Sequence, residues 1–215
     1  MEEVTVHILD KEIRGLAAEC SVKLDDQDVR KLSWYVKLVT KWQRVANLTG
    51  SPNSLDFVRT QMVDAIAVLP HVHFQSLLDI GSGNGLPGIV LAIANKQADV
   101  ALLESRSRRA RFLRQAQIEL KLERVTVINN RLQKLGGQVV PDTLIARAVA
   151  PLEDLTLACL PLLSKGSTLV VMKSSLRDAE VERARELVKT LEVVSVRVPG
   201  YQERNLVFVR GTQQD

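Results

Sequence analysis

Between Asp25 and Leu48 the apolar residues Val29, Leu32, Val36, Val39 and Trp42 follow one another in steps of three and four, a spacing that predicts one amphipathic helix. Asp25 and Asp26 suit its amino end, where acids satisfy free N–H groups and the helix dipole. Ser51-Pro52 reads as cap plus first-turn proline of a second helix, which carries Val58, Met62, Ala65, Ile66 and Leu69 on one face and ends before Pro70. The first 70 residues are therefore predicted helical. Beyond His73 short apolar runs alternate with helical periodicity, the mark of βαβ units and a parallel sheet. Strands are predicted at Leu77–Ile80, Val100–Leu103, Val125–Ile128, Thr143–Ala146, Thr168–Met172, Val193–Val198 and Leu206–Val209. Helices are predicted at Leu86–Asn95, Ser107–Leu122, Leu152–Leu160 and Asp178–Leu191. The link Pro199-Gly200-Tyr201 is too short for a parallel crossover, so the last two strands should pair antiparallel. The expected architecture is α/β: a Rossmann-like, doubly wound seven-stranded sheet over 73–215 behind a helical cap over 1–72. In such sheets ligands bind at the carboxyl ends of strands near the switch point.

The 215 residues are 46% hydrophobic, 25% charged and only 4% aromatic, and no apolar run nears the roughly 20 residues of a membrane-spanning helix. The start MEEVTVHILDKEIRG lacks an apolar h-region and a small-residue cleavage site, so a cytoplasmic protein with no membrane partner is expected. Cys20 and Cys159 lie outside any ligand-like motif and are expected to be free, buried thiols. His71 and His73 lack Cys or carboxylate partners at ligand spacing, so no metal is expected. Trp34 and Trp42 are expected in the core. The net charge of +4 tilts the balance toward a polyanionic partner. Its distribution sharpens that reading. One helical face carries Arg30, Lys31, Lys37, Lys41 and Arg44, with no acid between Asp28 and Gly50. From Arg106 to Arg124, Arg108, Arg109, Arg111, Arg114 and Lys121 add to the basic content against Glu119 and Glu123, and arginine suits bidentate phosphate contacts. Lys173, at the end of the fifth predicted strand, is a third candidate for contact with such a partner.

The most informative stretch is Leu77-Leu78-Asp79-Ile80-Gly81-Ser82-Gly83-Asn84-Gly85-Leu86-Pro87-Gly88, which sets a strand, a glycine-rich turn and a helix start in succession. Four glycines in eight residues carry an entropy cost that a turn without ligand avoids, so a cofactor loop is expected. Gly83 to Gly88 also matches the dinucleotide pattern G-x-G-x-x-G, and Glu104 stands about 20 residues on, where a ribose-binding acid belongs. Charge separates the two cofactor classes. Asp79, with no Lys or Arg in the loop, would repel a pyrophosphate, whereas the ammonium and sulfonium of S-adenosylmethionine favour an acid there. Glu104 serves the ribose hydroxyls in either case.

Lys41-Trp42 with Asn47-Leu48-Thr49, the glycine loop through Ile89, Arg111-Phe112-Leu113-Arg114-Gln115 with Glu119-Leu120-Lys121-Leu122, and Ala146-Arg147-Ala148 together resemble the ribosomal RNA small-subunit methyltransferase G family, also called glucose-inhibited division protein B. The likeness runs over nearly the whole chain. It implies a class I methyltransferase fold that moves the S-adenosylmethionine methyl to N7 of a guanine in 16S rRNA, free or within the small ribosomal subunit. By motif position it implies that Gly81 and Leu86 contact the cofactor, that Leu132 and Gln133 flank the adenine, and that Arg147 ends the fourth strand, facing cofactor or RNA. Of a His, Asp, Ser cluster frequent in the family's second helix only Asp64 is kept, with Gln61 and Ala65 at the other positions, and Gln133 replaces a frequent Glu.

Guanine N7 bears a lone pair and no proton, so no catalytic residue is expected to act as a base. Rate would come mainly from alignment of N7, methyl carbon and sulfur, worth about 7–11 kcal/mol in favourable cases. Asp79 would add electrostatic stabilisation of the migrating charge. Arg147 would meet either the base O6 or a phosphate. Three rivals remain at this level: a methyltransferase for a small molecule or protein, a dinucleotide-binding oxidoreductase, and a cofactor-binding module without catalysis.

Overall fold

Asp25 opens the predicted cap helix with a reciprocal capping box: its side chain accepts the Asp28 N–H at 2.8 Å, and the Asp28 carboxylate accepts the Asp25 N–H at 3.1 Å. The helix, α2 (Asp26–Ala46), closes at Asn47 in the left-handed conformation. These details come from a computed structural model that describes residues 2–51, 53–135, 140–201 and 203–212. A first helix, α1 (Glu2–Glu19), without a prediction of its own, packs on α2 and buries Leu9, Ile13 and Leu16 at the same spacing. The second predicted helix is capped by Asn53, whose Oδ1 accepts the Asp56 N–H at 2.9 Å, and not by Ser51; Pro52 lies outside the described residues. It runs as α3 (Ser54–Phe57), a π-helical stretch Val58–Met62, and α4 (Val63–Val68).

The seven strands are β1 (Ser76–Ile80), β2 (Asp99–Leu103), β3 (Val125–Ile128), β4 (Thr143–Arg147), β5 (Thr168–Lys173), β6 (Thr190–Val196) and β7 (Arg204–Arg210). Their order is β3-β2-β1-β4-β5-β7-β6, with β1 to β5 parallel and β7 antiparallel to both of its neighbours. Strand alternation divides the core. Leu77, Leu102, Ile145 and Val170 face the helical cap together with α5 (Gly88–Ala94) and α6 (Ser107–Glu119), while Leu78, Leu103, Leu144 and Leu169 face α7 (Leu152–Leu163) and α8 (Asp178–Arg185). The apolar stripes of α1, α2 and α4 are thereby continuous with one face of the sheet.

Several boundaries differ from the sequence pattern, two of them in a way that matters. Leu86 and Pro87 belong to the loop, so α5 starts at Gly88. The helix predicted over Asp178–Leu191 stops at Arg185, because Thr190–Val196 pairs with β7, Leu191 opposite Val209. Pairing with the strand that follows outweighs local helical spacing there. Trp34 also departs: the inward stripe of α2 is filled by Leu32, Tyr35, Val36 and Val39, and Trp34 is 44% exposed with Nε1 donating to Glu119 at 3.1 Å. Trp42 is half-buried against Phe112, ring centroids 6.1 Å apart. Both cysteines are free; Cys159 is buried as expected, and Cys20 is only half-buried. No described helix is long and apolar enough to cross a membrane.

Candidate functional site

The strand-turn-helix unit at β1 and α5 needs its glycines for two different reasons. Gly81, Gly83 and Gly85 all have positive φ, at 69°, 59° and 95°. At Gly85 a Cβ would stand 2.4 Å from the buried Ile89 Cδ1, and at Gly88 it would meet Leu102 Cδ2 at 2.4 Å and Asp79 Oδ2 at 2.6 Å. At Gly83 a Cβ would find only ordinary contacts, the Gly81 carbonyl oxygen at 3.6 Å and Arg109 Nη1 at 3.7 Å. Its requirement is conformational, and its backbone stays open to approach.

Two acids hold this loop from below. Asp79 is 1% exposed, its Oδ2 accepts the Gly88 N–H at 3.1 Å, and the Ser82 hydroxyl donates to the Asp79 carbonyl at 2.9 Å. Burial pushes its carboxyl up to about 7, against the pull of hydrogen bonds from Gly88 and Ser82 and of the Arg147 charge. Glu104, just past β2, accepts the Gly83 N–H at 2.9 Å on Oε2 and the Arg106 N–H at 2.7 Å on Oε1. It thereby ties the end of β2 to the turn after β1. Asn129 reaches across from β3 and donates to the Glu104 carbonyl at 2.8 Å. Where the sequence pattern puts Asp79 at the mouth of the loop, the structure puts it beneath, bracing the α5 start. Glu104 likewise spends one lone pair of each oxygen on backbone N–H groups and keeps the others.

Above the loop, between the carboxyl ends of β1 and β4, lies a cavity of about 350 Å³. This is the point where strand order reverses. Its walls bring together Gly81, Gly83, Leu86, Arg109 and Arg147 of the predicted residues, together with Gln61 and the segment from Asn47 to Gly50. Leu132 and Gln133 are not among its walls: they sit on the short 3-10 turn Leu132–Lys134, Leu132 packed against the second core and Gln133 exposed.

The sequence pattern does not point to the polar network that joins the helical cap to this cavity. The buried Tyr35 hydroxyl donates to the Asn84 carbonyl at 2.7 Å, and Asn84 Nδ2 donates to Gln61 Oε1 at 3.1 Å. Gln61, in the π-helical stretch, donates to the hydroxyls of Thr49 and Ser51, while its own carbonyl accepts from Arg147 Nη1 at 3.2 Å. Gln43 Oε1 accepts the N–H groups of Leu48 and Thr49 at 2.8 and 2.7 Å, which fixes the Asn47-Leu48-Thr49 wall. That tripeptide is visible as a motif; Tyr35 gives no signal beyond an apolar position on α2.

The basic residues separate by environment. Lys41, Arg44, Arg108 and Arg111 are exposed, and Arg108 and Arg111 share a surface depression with Trp42 and Val45 where α6 meets α2. Arg109 turns inward: its Nη2 donates to the Asn47 carbonyl at 3.1 Å and it lines the cavity. Lys173 is ion-paired with Glu180, a buried side chain that also accepts the Leu152 N–H at 2.8 Å. Its charge is answered within the fold.

Similarity to known proteins points one way. Residues 28–207 match the GidB family, described as rRNA small subunit methyltransferase G. The ribosomal RNA small subunit methyltransferase G of Escherichia fergusonii is 32% identical over 199 residues, 92% of this chain and 96% of that protein. The protein of the same name from Klebsiella pneumoniae is 34% identical over 196 residues, 91% of this chain and 95% of that one. Among solved structures, the magnesium protoporphyrin IX methyltransferase ChlM from Synechocystis PCC 6803, determined with bound SAM, superposes with a TM-score of 0.56 at 20% identity, covering 88% of this chain and 99% of that one. That likeness concerns the fold.

Proposed function

We propose that the chain, which belongs to the rRNA small subunit methyltransferase G family, is an S-adenosylmethionine-dependent methyltransferase acting at guanine N7 of 16S rRNA, and that methyl transfer takes place at the mouth between β1 and β4, where Gly81, Gly83 and Arg147 converge. The observation that carries this placement is the left-handed turn at Gly81 and Gly83, with the backbone of Gly83 free of close contacts, on the wall of a cavity at the sheet's switch point. The cofactor, when bound, supplies an electrophilic methyl carbon on a cationic sulfur.

The chain's own residues then do four things. Gly81 and Gly83 admit the cofactor to main-chain contact, and Leu86 gives it an apolar wall. Glu104 offers its remaining lone pairs to the ribose hydroxyls, and Leu132 and Gln133 flank the adenine beyond the end of β3. Asp79 and Glu104 place negative charge beneath the loop, which favours a cationic ligand over a pyrophosphate. Arg147, Gln61 and Arg109 line the same mouth and orient the incoming nucleotide. No group has to remove a proton, because N7 attacks with a lone pair it already holds; alignment is the main source of rate.

The exposed cations Lys41, Arg44, Arg108 and Arg111 flank the mouth on adjoining helices and carry the RNA backbone contacts. The substrate is 16S rRNA, free or in the small ribosomal subunit, and the site of action is the cytoplasm. The test is methyl transfer from labelled S-adenosylmethionine to 16S rRNA, naked and in small subunits, prepared from cells lacking this protein. One 7-methylguanine per 16S molecule is expected. No incorporation into either form overturns the reading.

A further inference from the structure

A second cavity, of about 220 Å³, lies on the other side of Arg147, bounded by α4 and the ends of β4, β5 and β7. It shares Arg147 and Ala148 with the cofactor cavity, so whatever fills it adjoins the methyl donor. Most of its wall is apolar, from Ala67, Val171, Met172, Val196 and Leu206. Besides Lys173 and Ser174, its polar part is one carboxylate between two guanidiniums: Asp64 Oδ1 is 3.2 Å from Arg204 Nε, and Asp64 Oδ2 is 3.8 Å from Arg147 Nη1. The three side chains are only 16–21% exposed. Lys173 also borders the cavity, its ammonium held by the buried Glu180 and not by Asp64.

Resting on the rRNA reading above, we propose that this second cavity receives the target guanine, extruded from the RNA, and that the Arg147–Asp64 pair reads its Watson–Crick edge. The pair sets a donor beside an acceptor. Guanine presents the complement, the O6 acceptor next to the N1–H and N2–H donors, while adenine presents a donor where O6 would be and an acceptor at N1. Each Asp64 oxygen engages one arginine and keeps a lone pair for the base. The geometry also addresses the reacting atom. N7 neighbours O6 on the purine, so a base gripped at O6 by Arg147 holds N7 beside the wall that the two cavities share. Met172, Val196 and Leu206 give the ring faces apolar contact, as expected for a flipped-base pocket. Asp64 is here a specificity-determining residue; it takes no proton.

The experiment measures single-turnover methylation of small subunits reconstituted with splint-ligated 16S rRNA that carries either guanine or inosine, which lacks the 2-amino group, at the target position. Wild-type protein is expected to methylate the guanine form about tenfold faster or more. In Asp64→Ala the guanine rate should fall at least tenfold and the guanine–inosine difference should vanish, with S-adenosylhomocysteine affinity within twofold of wild type. A purely structural ion pair would slow both substrates alike and leave their ratio intact, which overturns the proposal; so does equal wild-type reactivity of the two substrates. Should Asp64→Ala not fold, Asp64→Asn keeps the volume and lets its oxygen face the arginines and its NH₂ face the base, and the guanine preference is again expected to disappear. Failure of wild type to methylate the guanine subunits overturns the rRNA reading itself.

Discussion

The Tyr35 hydroxyl, fully buried in the middle of α2, donates to the Asn84 carbonyl in the glycine loop at 2.7 Å, joining residues 49 positions apart. Burial raises the phenol far above its usual range, so it stays a donor throughout the working pH range. Through Asn84 and Gln61 the contact continues to Arg147. The helical cap therefore helps set the shape of the glycine loop.

Tyr35→Phe removes the donor and leaves a buried carbonyl short of a partner. The expected cost is about 1–3 kcal/mol of stability, read from the denaturant midpoint. S-adenosylhomocysteine binding should weaken as well, since Asn84 belongs to the loop. Unchanged midpoint and affinity would show that cap and loop are independent.

The loop glycines should separate by mechanism. Gly83→Ala meets only backbone strain and should cost about 1–2 kcal/mol. Gly85→Ala adds a clash with Ile89, which is 0% exposed and has no room to swing away, for a total of about 2–5 kcal/mol. Larger side chains at Gly83 would instead project toward the cavity and block the cofactor while the fold survives. Thermal melts with a parallel cofactor titration distinguish the two, and equal stability loss at both positions contradicts the assignment.

Asp79 makes the glycine loop pH-sensitive in a defined direction. Its carboxyl is raised from 3.8 to about 7 by burial, so the folded state holds the proton more tightly than the unfolded chain does. The contribution of this group to stability is thus complete below about pH 4 and is lost as pH rises to about 7, a few kcal/mol in all. Asp79→Asn should flatten that part of the stability profile. Ionised Asp79 also favours the sulfonium, so the ratio of S-adenosylmethionine to S-adenosylhomocysteine affinity should climb between about pH 6 and 8 in wild type and stay level in Asp79→Asn. Both ligands carry the same amino group, which cancels in the ratio. A level wild-type ratio would remove Asp79 from cofactor recognition.

Arg108 and Arg111 are exposed, whereas Arg109 secures the Asn47 carbonyl. Arg108→Glu with Arg111→Glu should lower RNA affinity and reduce the salt slope by about 1 per lost phosphate contact, leaving S-adenosylhomocysteine affinity unchanged. Arg109→Glu should damage both ligands because it disturbs the cavity wall. Filter binding at several salt concentrations reads the slope, and an unchanged slope in the double variant places the RNA elsewhere.

The sequence by itself determined the parts whose signals are local. The seven strand positions, the glycine turn, the capping acids of α2 and the antiparallel end of the sheet follow from spacing, residue type and linker length, each legible within a window of a few residues. The tertiary structure alone decided which groups meet. Asp79 and Glu104 satisfy backbone N–H groups, Lys173 is answered by Glu180, Trp34 turns to solvent, and the sixth strand begins at Thr190, inside the predicted helix, because β7 lies beside it. Tyr35, Gln61 and Asp64 join the site only when the cap helices close on the sheet. Periodicity states which face of an element is buried, but a buried polar group must find a partner wherever the packed elements supply one, and that partner is set by distance in space and not along the chain.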